Sequence, residues 1–219
     1  MAMDRTGASE GQYSKISKMF LPYVDGATLY LKQGEKNEYI PSHDGWGEYR
    51  TTVNFYNSFD ANDKRKTELI ADKVYKADGS ILGEYPGKLP YPFCRKYIDP
   101  KFEGDKTSTR PFLLRFSDVA LIYAEAVGPT SKAYTLVNFI RNRAGLGVMN
   151  PNLSKDDFRK EIFNERSFEL SFEGDRMYDL RRWNKITTIV PEAAGLTEDQ
   201  VTFYPIPQAE INLNGSLRP

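Results

Sequence analysis

The chain has 219 residues, 40% hydrophobic and 27% charged, the balance of a folded globular protein with enough apolar material for a core. Lys plus Arg equals Asp plus Glu at 30 each, so no long-range field draws nucleic acid or an acidic membrane surface to it. Cys94 and His43 are each the only residue of their kind, which excludes an intramolecular disulfide, a thiolate metal cage and a His-rich metal site, and leaves any catalytic triad dependent on His43.

No stretch approaches the ~20 apolar residues of a membrane helix, and the opening residues carry neither an apolar h-region nor a cleavage site. An export signal is expected only in a longer precursor. From Tyr13 to Arg110 the sequence is rich in Gly, Pro, Asn, Asp and aromatics, with breakers at Asp78-Gly79, Tyr85-Pro86-Gly87 and Leu89-Pro90-Tyr91-Pro92, so it reads as loops with short strands. Strands are predicted at Ala27 to Lys32 and Arg50 to Phe55, where β-branched and aromatic residues cluster.

Tyr39, His43, Trp46, Tyr49, Phe55 and Tyr56 crowd into this half beside Asp44, Glu48, Arg50, Asn54 and Asn57. Sugars present flat C–H faces ringed by hydroxyls, so aromatic platforms interleaved with planar polar side chains suit them. The alternative is that these rings fill a core short of aliphatic periodicity. Trp46 stands out between Gly45 and Gly47, whose freedom lets the backbone bulge and present a ring. The candidate ligand-binding residues are Trp46, Tyr49, Asn54 and Tyr56.

Beyond Pro111 the period becomes helical. Phe116, Val119, Ala120, Tyr123 and Val127 are predicted to form one buried face, ended by Gly128-Pro129. Ser131 is the expected N-cap of a second helix with Ala133, Leu136, Val137, Ile140 and Ala144 inward and Gly145 at its left-handed end. A lone pair of this kind cannot bury both faces, so it should pack on further helices. A third helix opens on a capping box, Ser154 with Asp157, and a Leu153–Phe158 staple, with Phe158, Ile162 and Phe172 apolar.

Along that third helix Glu161, Glu165, Glu169 and Glu173 recur every four residues and so share one stripe. A di-metal bundle site would need histidines that are missing. A glycosidase pair would need carboxylates facing each other about 5 to 10 Å apart across a cleft, not stacked on one helix. Ion pairing with Arg141, Arg143, Arg166, Arg176, Arg181 and Arg182 needs only the guanidinium–carboxylate fork. After Trp183 the chain is predicted to be irregular, with Tyr204 to Asn214 an extended tail. No phosphate-binding glycine motif occurs, and Asp60-Ala61-Asn62-Asp63 is followed by Lys64-Arg65-Lys66 where a calcium loop needs Gly and oxygen ligands. A solvated turn is expected there. No cofactor, metal or catalytic constellation is predicted.

Four segments resemble, in order, the C-terminal domain of the SusD/RagB family: Arg110 to Ala126 after Arg95-Lys96-Tyr97, Ala133 to Leu146, Phe158 to Trp183, and Tyr204 to Asn214. The ending departs, with Asn214-Gly215 where the family often has Asn-Pro. The resemblance implies a mainly α fold with long irregular loops and a few short strands, packing on tetratricopeptide-like helices outside this chain. Residues 1–110 would be a loop-rich, ligand-facing segment and 111–219 the helical motif region, within one structural domain. It implies a non-catalytic glycan- or nutrient-binding subunit, lipid-anchored on the extracellular face of the outer membrane through an anchor absent here and working with a SusC-like TonB-dependent transporter. A structural or protein-interaction module, with recognition in the other half, is the alternative.

Overall fold

In the computed structural model, which describes residues 13–33, 38–202 and 206–217, Leu29 and Leu31 are fully buried while Tyr30 and Lys32 are only half covered. That alternation is the signature of a strand with one face on a core. The strands are β1 (Leu29–Gln33), β2 (Glu38–Ser42), β3 (Ile70–Ala71), β4 (Lys73–Tyr75), β5 (Ile81–Glu84) and β6 (Phe93–Cys94). They form a four-stranded antiparallel sheet in the order β2-β1-β4-β5 and a two-stranded ladder of β3 and β6. Leu29 faces Ser42 and Gln33 faces Glu38. Leu21, Val24, Leu29, Leu31, Val74, Leu89 and Phe93 make the core of this part.

The first predicted strand is thus found, ending one residue later. The second is not. A short helix α1 (Ile16–Phe20) precedes the sheet, and Arg50 to Phe55 runs into a second helix, α2 (Val53–Ser58). The Thr52 hydroxyl accepts the Phe55 N–H at 3.2 Å, so a residue counted toward a β-branched run works as an N-cap. A third short helix, α3 (Arg65–Leu69), leads into β3.

Helices α4 (Phe116–Val127) and α5 (Ser131–Arg143) form the expected hairpin. Thr130, not Ser131, caps α5, its hydroxyl accepting the Ala133 N–H, and Gly145 is left-handed at φ +79°. The inward face of α5 is as predicted at Ala133, Val137 and Ile140. That of α4 is not. It buries Ser117, Asp118, Ala120, Leu121 and Ala124, while Phe116 (60% exposed), Val119 and Val127 face outward with Leu113, Leu114 and Ile122. The inward choice follows from close packing of small residues and from Asp118, which meets Arg166 at 2.7 Å. Helix α6 (Lys155–Glu169) starts as read: the Asp157 N–H donates to Ser154 Oγ at 3.1 Å, the Ser154 hydroxyl returns a bond to the Asp157 carboxylate, and Leu153 packs on the cluster that holds Phe158 and Ile162. The helix ends at Glu169, so Phe172 lies beyond it, at φ +68°.

Of the expected carboxylate stripe, Glu165 and Glu169 on α6 and Glu173 just past its end have shielded, paired side chains, while Glu161 is exposed. Arg65 binds Asp63 through two donors and Glu165 at 2.6 Å, and reaches Glu169 at 3.3 Å. Arg115 bridges Glu169 and Glu173 at 2.7 and 2.8 Å. Arg141 meets Glu165, Arg143 meets Glu169, and Lys96 meets Glu173. Arg141 and Arg143 were expected; Arg65, Lys96 and Arg115 come from the loop-rich half and its edge, and Arg166 turns to Asp118 instead. Asp63 is buried as the partner of Arg65, which corrects the reading of a solvated turn, although Asp60 and Asn62 do form an exposed one.

The chain divides into two compact units, one through Glu173 and one from Gly174. The second holds α7 (Arg176–Arg182), α8 (Ile186–Ile189), a 3-10 turn at Pro191–Ala193, α9 (Glu198–Thr202) and α10 (Gln208–Leu213). Its region after Trp183 is therefore more helical than predicted. Pro207 sets the entry to α10, and Gln208 bonds Asn212 one turn on at 3.0 Å. Residues Tyr204 and Pro205 of the predicted tail lie outside the described residues, as do the opening twelve. Within this unit Arg182 pairs with Asp179.

Two outcomes test the network. Glu169→Gln should cost about 3–5 kcal/mol in denaturant unfolding, because it strands buried guanidinium groups. Burial alone would raise the Glu169 pKa, but hydrogen bonds from Arg115, Arg143 and Ser117 outweigh it and hold it at about 2. With the folded value below the unfolded one of about 4.3, its stabilisation is complete above that unfolded value. It is lost as pH falls toward the folded one. The acid limb of the stability curve should flatten in Glu169→Gln.

Candidate functional site

Trp46 sits on a loop bound to the end of α1. The N–H groups of Gly45, Trp46, Gly47 and Tyr49 donate to the carbonyls of Pro22, Lys18, Leu21 and Met19 at 2.7 to 3.0 Å. The Asp44 carboxylate accepts the Val24 N–H at 2.7 Å, and the Gly47 carbonyl accepts from Tyr91 and Arg50. A Cβ on Gly45 would stand 1.8 Å from the Leu21 carbonyl oxygen. On Gly47, at φ +63°, it would stand 2.2 Å from the Tyr91 hydroxyl. The glycines flank Trp46 because the loop is pressed onto its support, rather than to let it bulge.

The indole is 40% exposed and Tyr49 49%. Lys15 and Lys18 ammonium groups each lie 5.6 Å from the Trp46 ring centre, and Lys18 also pairs with Asp105. Tyr49 leans on Phe20 with centres 5.1 Å apart. Trp46 and Tyr49 thus share one exposed loop. Asn54 and Tyr56 lie two residues apart on α2 and point away from each other: Asn54 is exposed, whereas the Tyr56 hydroxyl donates to Asp72 at 3.3 Å and Lys66 covers its ring at 4.4 Å. No ring contact joins Tyr56 to Trp46 or Tyr49 among the described residues. The structure places Trp46 and Tyr49 on one loop and leaves Asn54 and Tyr56 apart from each other on α2.

Other aromatics are structural. Phe55 stacks on Phe168 and meets Phe59 and Phe172 edge-on, and Tyr39 packs tilted against Tyr75. His43 is buried edge-on to Phe102, its pKa lowered by burial, and both ring nitrogens lack a hydrogen-bond partner among the described residues. Burial pushes the Cys94 thiol up to about 12, which leaves it inert at neutral pH. A cavity of about 460 Å³ opens beside the ion network, lined by Arg65, Arg115, Glu169, Lys96 and Phe112 among others. Its inner cations are already matched by Glu165, Glu169 and Glu173. Sequence reading missed the lysines around Trp46, since nothing in the local pattern ties residues 15 and 18 to residue 46.

The sequence pattern of the SusD family matches residues 23–218. The chain belongs to the SusD family. Members of this family are non-catalytic binding proteins. SusD-like protein P2 of Formosa agariphila is 29% identical over 211 residues, which is 80% of this chain and 40% of that protein. The surface glycan-binding protein A of Bacteroides thetaiotaomicron, solved with laminarihexaose, superposes with a TM-score of 0.66 at 24% identity, over 94% of this chain and 46% of that one. A laminarin-binding SusD-like protein superposes with a TM-score of 0.67 at 25% identity, over 91% and 42%. The chain spans less than half the length of these SusD relatives, and the fold they share with it is mainly helical with small antiparallel sheets.

The glycine requirement gives a direct test. Gly45→Ala should destabilise the protein by about 1–3 kcal/mol, the usual cost of overpacking. In a Trp183→Phe background, which leaves one tryptophan, the emission of Trp46 should also change.

Proposed function

We propose that this SusD-family chain contributes the glycan-facing loops of a non-catalytic, cell-surface binding protein that hands oligosaccharides to a TonB-dependent outer-membrane transporter. The longer protein would be lipid-anchored on the extracellular face. The observation that carries the reading is Trp46: a large exposed ring on a loop held by four main-chain hydrogen bonds. A ring immobilised before binding loses little entropy when a sugar stacks on it. Tyr49 extends the platform, while Asn54 and Tyr56 supply polar groups on α2. That two structural relatives are described with laminarihexaose and laminarin makes β-glucan oligosaccharides the first ligands to try. The loop-rich residues 1–110 would then be ligand-facing and 111–219 the helical support.

Trp46→Ala should weaken oligosaccharide binding by the intact protein about tenfold in calorimetry, the worth of one aromatic contact, with an unchanged melting temperature. A second reading has its own observation. The outward apolar face of α4, with Phe116 and Phe139 edge-to-face at 6.1 Å, suits a docking surface for the rest of the longer protein. If recognition lies wholly there, Trp46→Ala leaves glycan affinity unchanged.

A further inference from the structure

Most of the cations facing inward in the first unit find a carboxylate: Arg65, Lys96, Arg115, Arg141 and Arg143 all do. Arg95 does not. It follows β6 directly, fixed by its N–H to the Leu69 carbonyl at 2.8 Å. Its half-buried side chain makes no ion pair or hydrogen bond among the described residues. Burial pushes its pKa down, against the opposing fields of Glu68 and Tyr75. A guanidinium held out of water without a partner costs stability, and the neighbouring network shows how readily this fold supplies partners elsewhere.

The side chain lines a cavity of about 120 Å³ whose walls include Tyr56, Tyr75, Lys66 and Asp72. The charges on these walls are not balanced. Asp72 accepts the Tyr56 hydroxyl, and Lys73 is committed to Glu84 at 3.2 Å. Lys32 has no carboxylate partner among the described residues, and Lys66 is engaged only with the Tyr56 ring. Arg95, Lys32 and Lys66 therefore face one carboxylate in the wall and Glu68 nearby, which leaves cations in excess. The volume is far below the roughly 300–1,000 Å³ that takes a whole ligand. It accommodates a substituent rather than a ring. An anionic group with two or more oxygens matches the fork of a guanidinium, and tyrosine rings alongside suit the sugar that carries it.

We propose that this cavity receives the carboxylate or sulfate of an acidic sugar residue, with Arg95 as its anchoring cation. The proposal rests on the glycan-binding reading and narrows it to acidic glycans. Neither the composition, which is charge-neutral overall, nor the neutral sugar bound by a structural relative would suggest this. It comes from one unpaired guanidinium and the size of the space before it.

The test is calorimetry of the intact protein with three oligosaccharides of matched length: one carrying uronate carboxylates, one sulfate esters, one neutral. The expected result is preferred binding of one acidic series, which assigns the group, and weakening by added salt. Arg95→Met should reduce that affinity about tenfold, the worth of a charged hydrogen bond. Neutral-sugar affinity should be unchanged, and the melting temperature unchanged or higher because a half-buried cation without a carboxylate partner among the described residues has gone. Lys66→Met, on the wall, should lower acidic affinity by a smaller factor and covers the case in which Arg95→Met does not fold. Equal affinity for acidic and neutral sugars, or acidic affinity untouched in both variants, overturns the acidic assignment and leaves glycan capture standing. Binding of none of the three overturns both.

Discussion

Three carboxylates, Glu165 and Glu169 on α6 and Glu173 just past its end, gather cations from widely separated parts of the chain: Arg65 from α3, Lys96 after β6, Arg115 before α4, and Arg141 and Arg143 at the end of α5. The carboxylates are almost wholly shielded from water, so each needs its partners, and the partners fix where five segments lie. The end of α6 is held by the same groups. Arg115 donates to the Glu169 carbonyl, Lys96 to the Ser171 carbonyl at 3.2 Å and the Tyr97 hydroxyl to the Phe172 carbonyl at 2.9 Å. Free C-terminal carbonyls of a helix favour cations and donors, so this cap follows from the helix itself.

A continuous set of contacts leads from that network to the proposed sugar platform. Lys96 is fixed by Glu173, and the next residue, Tyr97, stacks on Phe20 with centres 5.2 Å apart. The Ser17 hydroxyl donates to the Tyr97 carbonyl. Residues 17 and 20 belong to α1, whose end holds the Gly45 to Tyr49 loop through main-chain bonds. Trp46 is thus an exposed group on a support anchored in buried ion pairs. Binding residues on a loop and rigidity in the scaffold beneath it are the usual division of labour in a recognition surface.

How far the sequence disclosed this depends on the range of the interactions involved. The caps and stripes of α5 and α6 were legible because Ser154 with Asp157, and Ala133, Val137 and Ile140, carry their information within one or two turns. The strand at Leu29 was legible for the same reason. The inward face of α4 was misjudged because apolarity alone favours Phe116 and Val119, whereas packing favours Ala120 and Ala124 and the Asp118–Arg166 pair. Residues Arg65, Lys96 and Arg115 are 54 to 104 positions from the carboxylates they serve, a separation no local pattern encodes. Three of the four segments that resemble the SusD family carry residues of this network: Arg115 in the first, Arg141 and Arg143 in the second, and Glu165, Glu169 and Glu173 in the third. The exposure of Trp46 was readable from its glycines, though for the wrong mechanical reason, and Arg95 was visible only as part of Arg-Lys-Tyr.

The dependence of the platform on the network is the central physical claim, and it can be measured without any ligand. Hydrogen exchange followed at the amides of Gly45, Trp46, Gly47 and Tyr49 should show strong protection in the native chain, falling in Glu173→Gln together with the amides of residues 94–97. If Glu173→Gln loosens residues 94–97 while the four loop amides keep their full protection, the platform stands independently of the ion pairs and the account is contradicted.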